Sequence, residues 1–187
     1  MSAAHATTID SYDDYLKSLK MTLAVSRFDR IGRGRIVQLI SKSNQFNLTS
    51  RRYSERDVQV FEENPVDFLC WQARLDDAFG QHGIISVLIV RKLPTVWIID
   101  MWLMSCRVLT RGDEETLMNI LMHEAREAGI PAVVGEYVPT PRNALVADLY
   151  SRMGFAPVAT EPGGAFRYSA DPATFAAASS FLEVRRH

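Results

Sequence analysis

Two groups of residues in this 187-residue chain have types and spacing suited to chemistry. The first is the run Cys106-Arg-Val-Leu-Thr-Arg-Gly112, which joins an apolar, strand-like segment to the start of the clearest helix in the sequence. Backbone N–H groups at a helix N-terminus have no partner inside the helix, and with the helix dipole they favour an anion such as a pyrophosphate. Arg107 and Arg111 would add positive charge. An ordinary strand–helix turn containing a glycine fits the same residues. Cys106 is also a candidate nucleophile for an acyl-enzyme intermediate. A buried, reduced thiol is the alternative for it and for Cys70, since both lie in apolar runs. If the strand continues through position 106, Ser105 and Cys106 face opposite sides of it.

The second group centres on Asp100, which sits among Trp97, Ile98, Ile99, Met101 and Trp102. Apolar surroundings penalise the charged form of a carboxyl, so this position suits a general base with a raised pKa. A buried carboxylate neutralised by one of the arginines is the alternative. His82 reads as a turn residue and His123 as part of a polar helix face. No spacing of His, Cys and carboxylates suggests a metal, and none is expected.

These residues need elements to position them. Ser11 with Asp14 fits a capping box for a short helix over 11–20. Residues 22–28 read as a strand. Asp29 can cap a helix through about residue 46, with Ile36, Val37, Leu39 and Ile40 on its buried side. Ser54 and Asp57 repeat the capping-box pattern for a second helix, which Pro65 closes. Three strand-like runs follow at 67–75, 83–91 and 95–106, apolar enough to be central strands covered on both faces. The clearest helix spans 113–128, with Asp113, Glu114 and Glu115 in its first turn and Gly129 and Pro131 at its end. A strand over 132–137, a helix over about 142–153 and strands at 155–159 and 165–169 complete the order. Three consecutive strands in the middle argue for a mixed α/β sheet and against a regularly alternating Rossmann-type fold.

Composition sets the bounds. Hydrophobic residues make up 47% and charged residues 23% of the chain, values suited to a single globular domain at this length. The net charge of −1 makes the whole chain no magnet for nucleic acid or an anionic membrane. Its distribution is uneven, since Arg27, Arg30, Arg33, Arg35, Lys42, Arg51, Arg52 and Arg56 crowd the first third; solvated helix faces or an acidic partner such as a carrier protein account for them. Residues 1–10 read as a disordered leader without an apolar signal core, and the apolar run 96–104 is too short to span a bilayer, so a cytoplasmic protein is expected. Residues 171–187 form an Ala-rich tail.

The run Asn143-Ala-Leu-Val-Ala-Asp-Leu-Tyr-Ser-Arg-Met-Gly-Phe155 resembles the Asn-x-x-x-x-x-Leu-Tyr-x-x-x-Gly-Phe helix of the GNAT acyltransferase superfamily. The loop from Arg107 to Gly112 then resembles that superfamily's pyrophosphate loop, with Thr110 in place of its middle glycine. The order of elements matches the GNAT fold from about residue 22 to 169, so 11–170 is expected to be one GNAT-like domain. A closer resemblance lies in residues 35–53 and 97–109, which are similar to the C-terminal half of the FkbH-like proteins. Those are HAD-superfamily proteins of polyketide assembly lines that load a glyceryl unit onto an acyl carrier protein. Their HAD half, with its Asp-x-Asp-x-Thr motif, has no counterpart in this sequence.

The resemblance implies an acyl thioester, of coenzyme A or of a phosphopantetheine arm on an acyl carrier protein, lying between two central strands that splay apart. Arg107, Val108, Leu109, Thr110, Arg111 and Gly112 would grip the pyrophosphate or arm, and Asn143 would hydrogen-bond the arm. Tyr150 matches the tyrosine that protonates the leaving thiolate; a core tyrosine is the alternative. Asn44, Gln45, Asn47, Arg51, Arg52 and Trp102 would line the acceptor side, the amides facing a hydroxylated acyl group and the arginines a phosphate or carboxylate. Two functions follow: an acyltransferase in secondary metabolism, or a non-catalytic module that docks a carrier protein for a separate HAD-domain protein.

Overall fold

The structure is a computed structural model that describes residues 12–108, 111–160 and 164–187. The expected leader, the Ser11 cap and loop residues Leu109 and Thr110 lie outside the described residues. Helix α1 covers residues 12–18. Strand β1 (Thr22–Arg27) follows, then helices α2 (Arg33–Lys42) and α3 (Glu55–Glu63). Strands β2 (Phe68–Asp77), β3 (Gly80–Lys92) and β4 (Trp97–Met104) come next, then helix α4 (Asp113–Glu127) and strand β5 (Val133–Tyr137). A short helix α5 (Leu149–Arg152) and strands β6 (Ala156–Thr160), β7 (Phe166–Ala170) and β8 (Glu183–Arg186) close the chain. The strands form one mixed sheet of eight in the order β6-β7-β5-β4-β3-β2-β1-β8.

The local reasons are legible. Ser54 and Asp57 close the capping box at the start of α3. Helix α2 is shorter than expected: Asp29 accepts the Gly32 N–H at 2.7 Å and sets the entry, but the helix stops at Lys42. Its end is held by Arg52, which donates to the carbonyls of Ile40 and Ser43 and, at 2.6 Å, to the Asn44 side chain. The helix expected over 142–153 is broken into a 3-10 turn at Ala144–Val146 and the four-residue α5.

The sheet is covered on both faces. On one side α1, α4 and α5 pack against Ile85, Leu88 and Val90 of β3 and Trp97, Ile99, Trp102 and Met104 of β4. On the other, α2 and α3 pack against Ile84, Val87, Ile89, Met101 and Leu103. In β4 the inward set changes from odd to even positions after Ile99. The cause is a bulge: Ile99 pairs with Val90 and Met101 with Ile89, which leaves Asp100 as the extra residue. That bulge is also where β4 leaves its other neighbour. Strands β4 and β5 are parallel and pair only over Trp97–Ile99 and Val133–Gly135, then diverge.

The tail is part of the sheet. Strand β8 runs parallel to β1. Leu182 is buried in the core, Ser180 hydrogen-bonds Thr116 at 2.6 Å, and Asn119 exchanges two hydrogen bonds with Ala178.

Candidate functional site

The fork where β4 and β5 part is built around one arginine. Arg51 donates through Nη1 to the Asp100 carbonyl (2.7 Å) and carboxylate (3.1 Å), and through Nη2 to Glu136 (2.6 Å). Arg91 lies 3.4 Å from the same Asp100 oxygen, Arg167 lies 3.5 Å from Glu136, and the Tyr53 hydroxyl donates to Asp100. Burial, and then the hydrogen bond to Asp100, push the Tyr53 phenol well above its ordinary pKa. Asp100 is thus a buried carboxylate contacted by Arg51, Arg91 and Tyr53, the arrangement of the ion-paired alternative. Arg51, placed by the sequence on the acceptor side, is committed to this fork.

Beyond the fork, the facing edges of β4 and β5 are not free. Residues 46–49 lie between them. Leu48 donates to the Trp102 carbonyl (3.2 Å), Phe46 accepts from the Met104 N–H (3.1 Å), and Leu48 accepts from the Val138 N–H (2.8 Å). Asn143 donates from Nδ2 to the carbonyls of Asn47 and Val138, both at 2.9 Å, and its Oδ1 accepts the Thr140 N–H at 2.8 Å. The Thr49 hydroxyl donates to the Asp100 carbonyl (3.0 Å), and the Asn47 side chain accepts the Ser50 N–H (2.9 Å). Asn47 and Leu48 are wholly buried, and Phe46 packs edge-on against Trp102 with ring centroids 5.7 Å apart. Asn47 and Asn143 thus hydrogen-bond within this inner segment and its surroundings, and Trp102 packs against it.

Tyr150 is 1% exposed, and its hydroxyl lies near the Glu136 backbone without closing a hydrogen bond of good geometry. Its ring lies so close to Gly135 that a Cβ there would fall 2.2 Å from it, so glycine is what lets α5 pack onto β5. Burial, and then the Glu136 charge, raise its pKa, which weakens it as a proton donor. Tyr150 packs in the core against Phe155 and Tyr168.

The start of α4 differs from the expected anion site. Gly112 has φ 90°, a left-handed geometry suited to glycine, and places three acidic residues in the first turn. Asp113 is fully buried with neither carboxylate oxygen hydrogen-bonded; burial first, then the Glu114 charge, push its pKa up to about 7. Arg111 is turned away to Asp77 at 2.7 Å, which His82 also approaches at 2.8 Å. Tail residues Ser179, Ser180 and Phe181 line a pocket of about 380 Å³ together with Arg111, Gly112 and Glu114 at this end. The buried Asp113 and Glu114 put negative charge at this end, and loop residues 109 and 110 lie outside the described residues.

An open site lies on the outer side of the fork. A groove of about 800 Å³ is lined by α2 and the segment after it, by Ser105, Cys106 and Arg107 past the end of β4, and by Pro141 and Arg142. Four cations line it (Arg35, Lys42, Arg107 and Arg142) and no carboxylate does, among the described residues. Asn44 and Gln45 also line it. Strand β4 stops at Met104, so Ser105 and Cys106 do not alternate across a strand; both reach the groove, and Cys106 is exposed while Cys70 is buried with its thiol pushed up to about 12 by burial. A phosphate-bearing ligand fits this cationic groove. Among the described residues no cluster of His, Cys, Asp and Glu could hold a metal ion.

The element order, the forked β4–β5 pair and the bulge at Asp100 make this an α/β chain of GNAT acyltransferase fold. Solved structures with the same architecture include the ribosomal-protein-S18-alanine N-acetyltransferase of Escherichia coli (14% identity, 80% of this chain and 94% of that one, TM-score 0.59). Ard1 of Thermoplasma volcanium (16%, 82% and 98%, 0.62) and yncA of Salmonella typhimurium, solved with acetyl-CoA (13%, 86% and 98%, 0.57), are others. No family model and no curated protein matches the sequence.

Proposed function

We propose that this chain is an acyltransferase that takes an acyl thioester, carried by coenzyme A or by the phosphopantetheine arm of an acyl carrier protein, in the outer groove and passes the acyl group through Cys106. The observation that carries this reading is the contrast among the three catalytic candidates. Tyr150 and Asp100 are sealed, whereas the Cys106 thiol is exposed on the wall of a groove rimmed by cations. The Cys106 thiolate attacks the thioester carbonyl, the carbonyl–sulfur bond to the arm breaks, and the leaving thiolate takes up the proton that Cys106 gave to solvent. Arg107 and Arg142 hold the arm's phosphate, and Asn44 and Gln45 face the acyl group. The likeness of residues 35–53 and 97–109 to the FkbH-like proteins supports a glyceryl or similar acyl unit, a place in polyketide or related secondary metabolism, and a cytoplasmic setting. Among the described residues no helix is long and apolar enough to cross a membrane.

Intact-mass spectrometry after mixing with acyl-CoA or glyceryl-loaded carrier protein tests this. An acyl adduct present in wild type and Tyr150→Phe and absent in Cys106→Ala is expected. Transfer that survives Cys106→Ala and is lost in Tyr150→Phe would overturn the covalent route. The filled fork favours a second reading, a docking module for a HAD-domain partner. Binding of the loaded carrier with no adduct and no transfer would select it.

A further inference from the structure

We infer that residues 46–49, bridged to β4 at Asn47–Leu103, are a resident segment locked by Asn143, and that they deny the β4–β5 fork to any extended ligand, so that a thioester arm must bind wholly in the outer groove. The inference rests on the proposed function for its ligand and on the fork alone for its geometry.

Two strands that diverge leave unpaired N–H and C=O groups along their facing edges, and such edges attract extended chains. Here the groups facing the gap are already used. The Trp102 carbonyl, the Met104 N–H and the Val138 N–H each pair with Phe46 or Leu48. Asn143 is the only side chain among the described residues that hydrogen-bonds both the inserted segment, at the Asn47 carbonyl, and the chain leaving β5, at the Val138 carbonyl. It does so from full burial. Thr49 and Arg51 tie the far end of the segment to Asp100. An incoming arm would have to return Phe46 and Leu48 to water. At ordinary burial energies that weakens binding by about a thousandfold before any polar group is counted. Nothing comparable opposes entry to the outer groove. Asn143, expected from the sequence to hold the arm, is thus a positioning residue that holds a substitute for it.

Hydrogen exchange on the full chain, free and with saturating coenzyme A, reads this directly. In the free protein the Leu48, Met104 and Val138 amides should exchange at least about a thousandfold slower than unstructured amides, on a par with the amides of β3. Coenzyme A should leave those three rates unchanged while slowing exchange at 105–107 and 142. Fast exchange at the three amides in the free protein, or their acceleration by coenzyme A, would overturn the inference. If coenzyme A does not bind at all, the proposed function fails, but the free-protein rates still decide whether the segment is resident. Asn143→Ala should speed exchange at Leu48 and Val138 about tenfold or more with β3 unaffected. Uniform acceleration across the sheet would remove its positioning role.

Discussion

The two sides of the segment 44–47 face opposite fates. Phe46 and Asn47 are drawn into the fork, where the backbone of 46–48 pairs with Trp102, Met104 and Val138 and the rings of Phe46 and Trp102 meet. Asn44 and Gln45, one step earlier, line an open groove among four cations. The same stretch of chain therefore closes one site and shapes another. A solved structure of the same fold holds acetyl-CoA. On the proposed reading, what occupies the strand edges, and not the shape of the sheet alone, determines where a thioester lies here.

The contrast can be broken most forcefully at Phe46. Truncating a buried aromatic costs about 3–5 kcal/mol, whereas an exposed substitution costs within about 0.5 kcal/mol. Phe46→Ala should lower the urea midpoint steeply, and Gln45→Ala should leave it in place. Equal, small effects would mean that the segment is not seated in the fork. Arg51→Met comes next. It leaves Asp100 and Glu136 buried without their shared partner, and breaking such a pair by removing one member is expected to cost about 3 kcal/mol. A loss under about 1 kcal/mol would show that water already screens those carboxylates.

Much of the fold was legible because its signals are local. The Ser54–Asp57 capping box, the apolar runs of β3 and β4 and the acidic first turn of α4 each depend on neighbours in the chain. The site was read less well because it depends on distant contacts. Asn143 was noted for a motif, but its partners lie at Asn47 and Val138, and only the fold brings them together. Arg51 and Arg52 looked like a ligand's cations; Arg51 pairs with the carboxylates of the fork and Arg52 caps the end of α2, contacts the sequence does not reveal. Asp100 was poised between base and ion pair, and three arginine and tyrosine side chains from elsewhere decide it. Cys106 was misplaced because the strand was extended two residues too far, past Met104. Arg35 and Lys42 counted only as part of the cationic first third, and Arg142 carried no sequence signal, until the groove gathers them. The tail's weak pattern hid β8, which takes its order from pairing with β1.

The start of α4 offers a sharper test of the closed side. An acid whose pKa rises from its ordinary value of 3.8 to about 7 in the folded protein binds its proton more tightly there than when unfolded. Asp113 therefore costs nothing below pH 3.8, erodes stability as pH rises from there toward 7, and exacts its full cost above 7. The slope it adds approaches about 1.4 kcal/mol per pH unit within that window. Asp113→Asn should flatten the fall of Tm between pH 5 and 7, and parallel curves would mean that the carboxylate is solvated.

The smallest effect belongs to the open side and separates its two arginines from each other. Arg107 lines the groove, and Arg111 is held by Asp77. If the phosphate of a thioester arm binds in the groove, Arg107→Ala should weaken coenzyme A binding by about fivefold to tenfold, as loss of one charge-assisted contact does. The loss should shrink at high salt, where exposed charges are screened, and unfolding should not change. Arg142→Ala should behave alike. Arg111→Ala should do the reverse, lowering stability by unpairing Asp77 while leaving affinity within about twofold. A calorimetric titration in which Arg111→Ala loses more affinity than Arg107→Ala would return the ligand to the start of α4, beside its buried carboxylates.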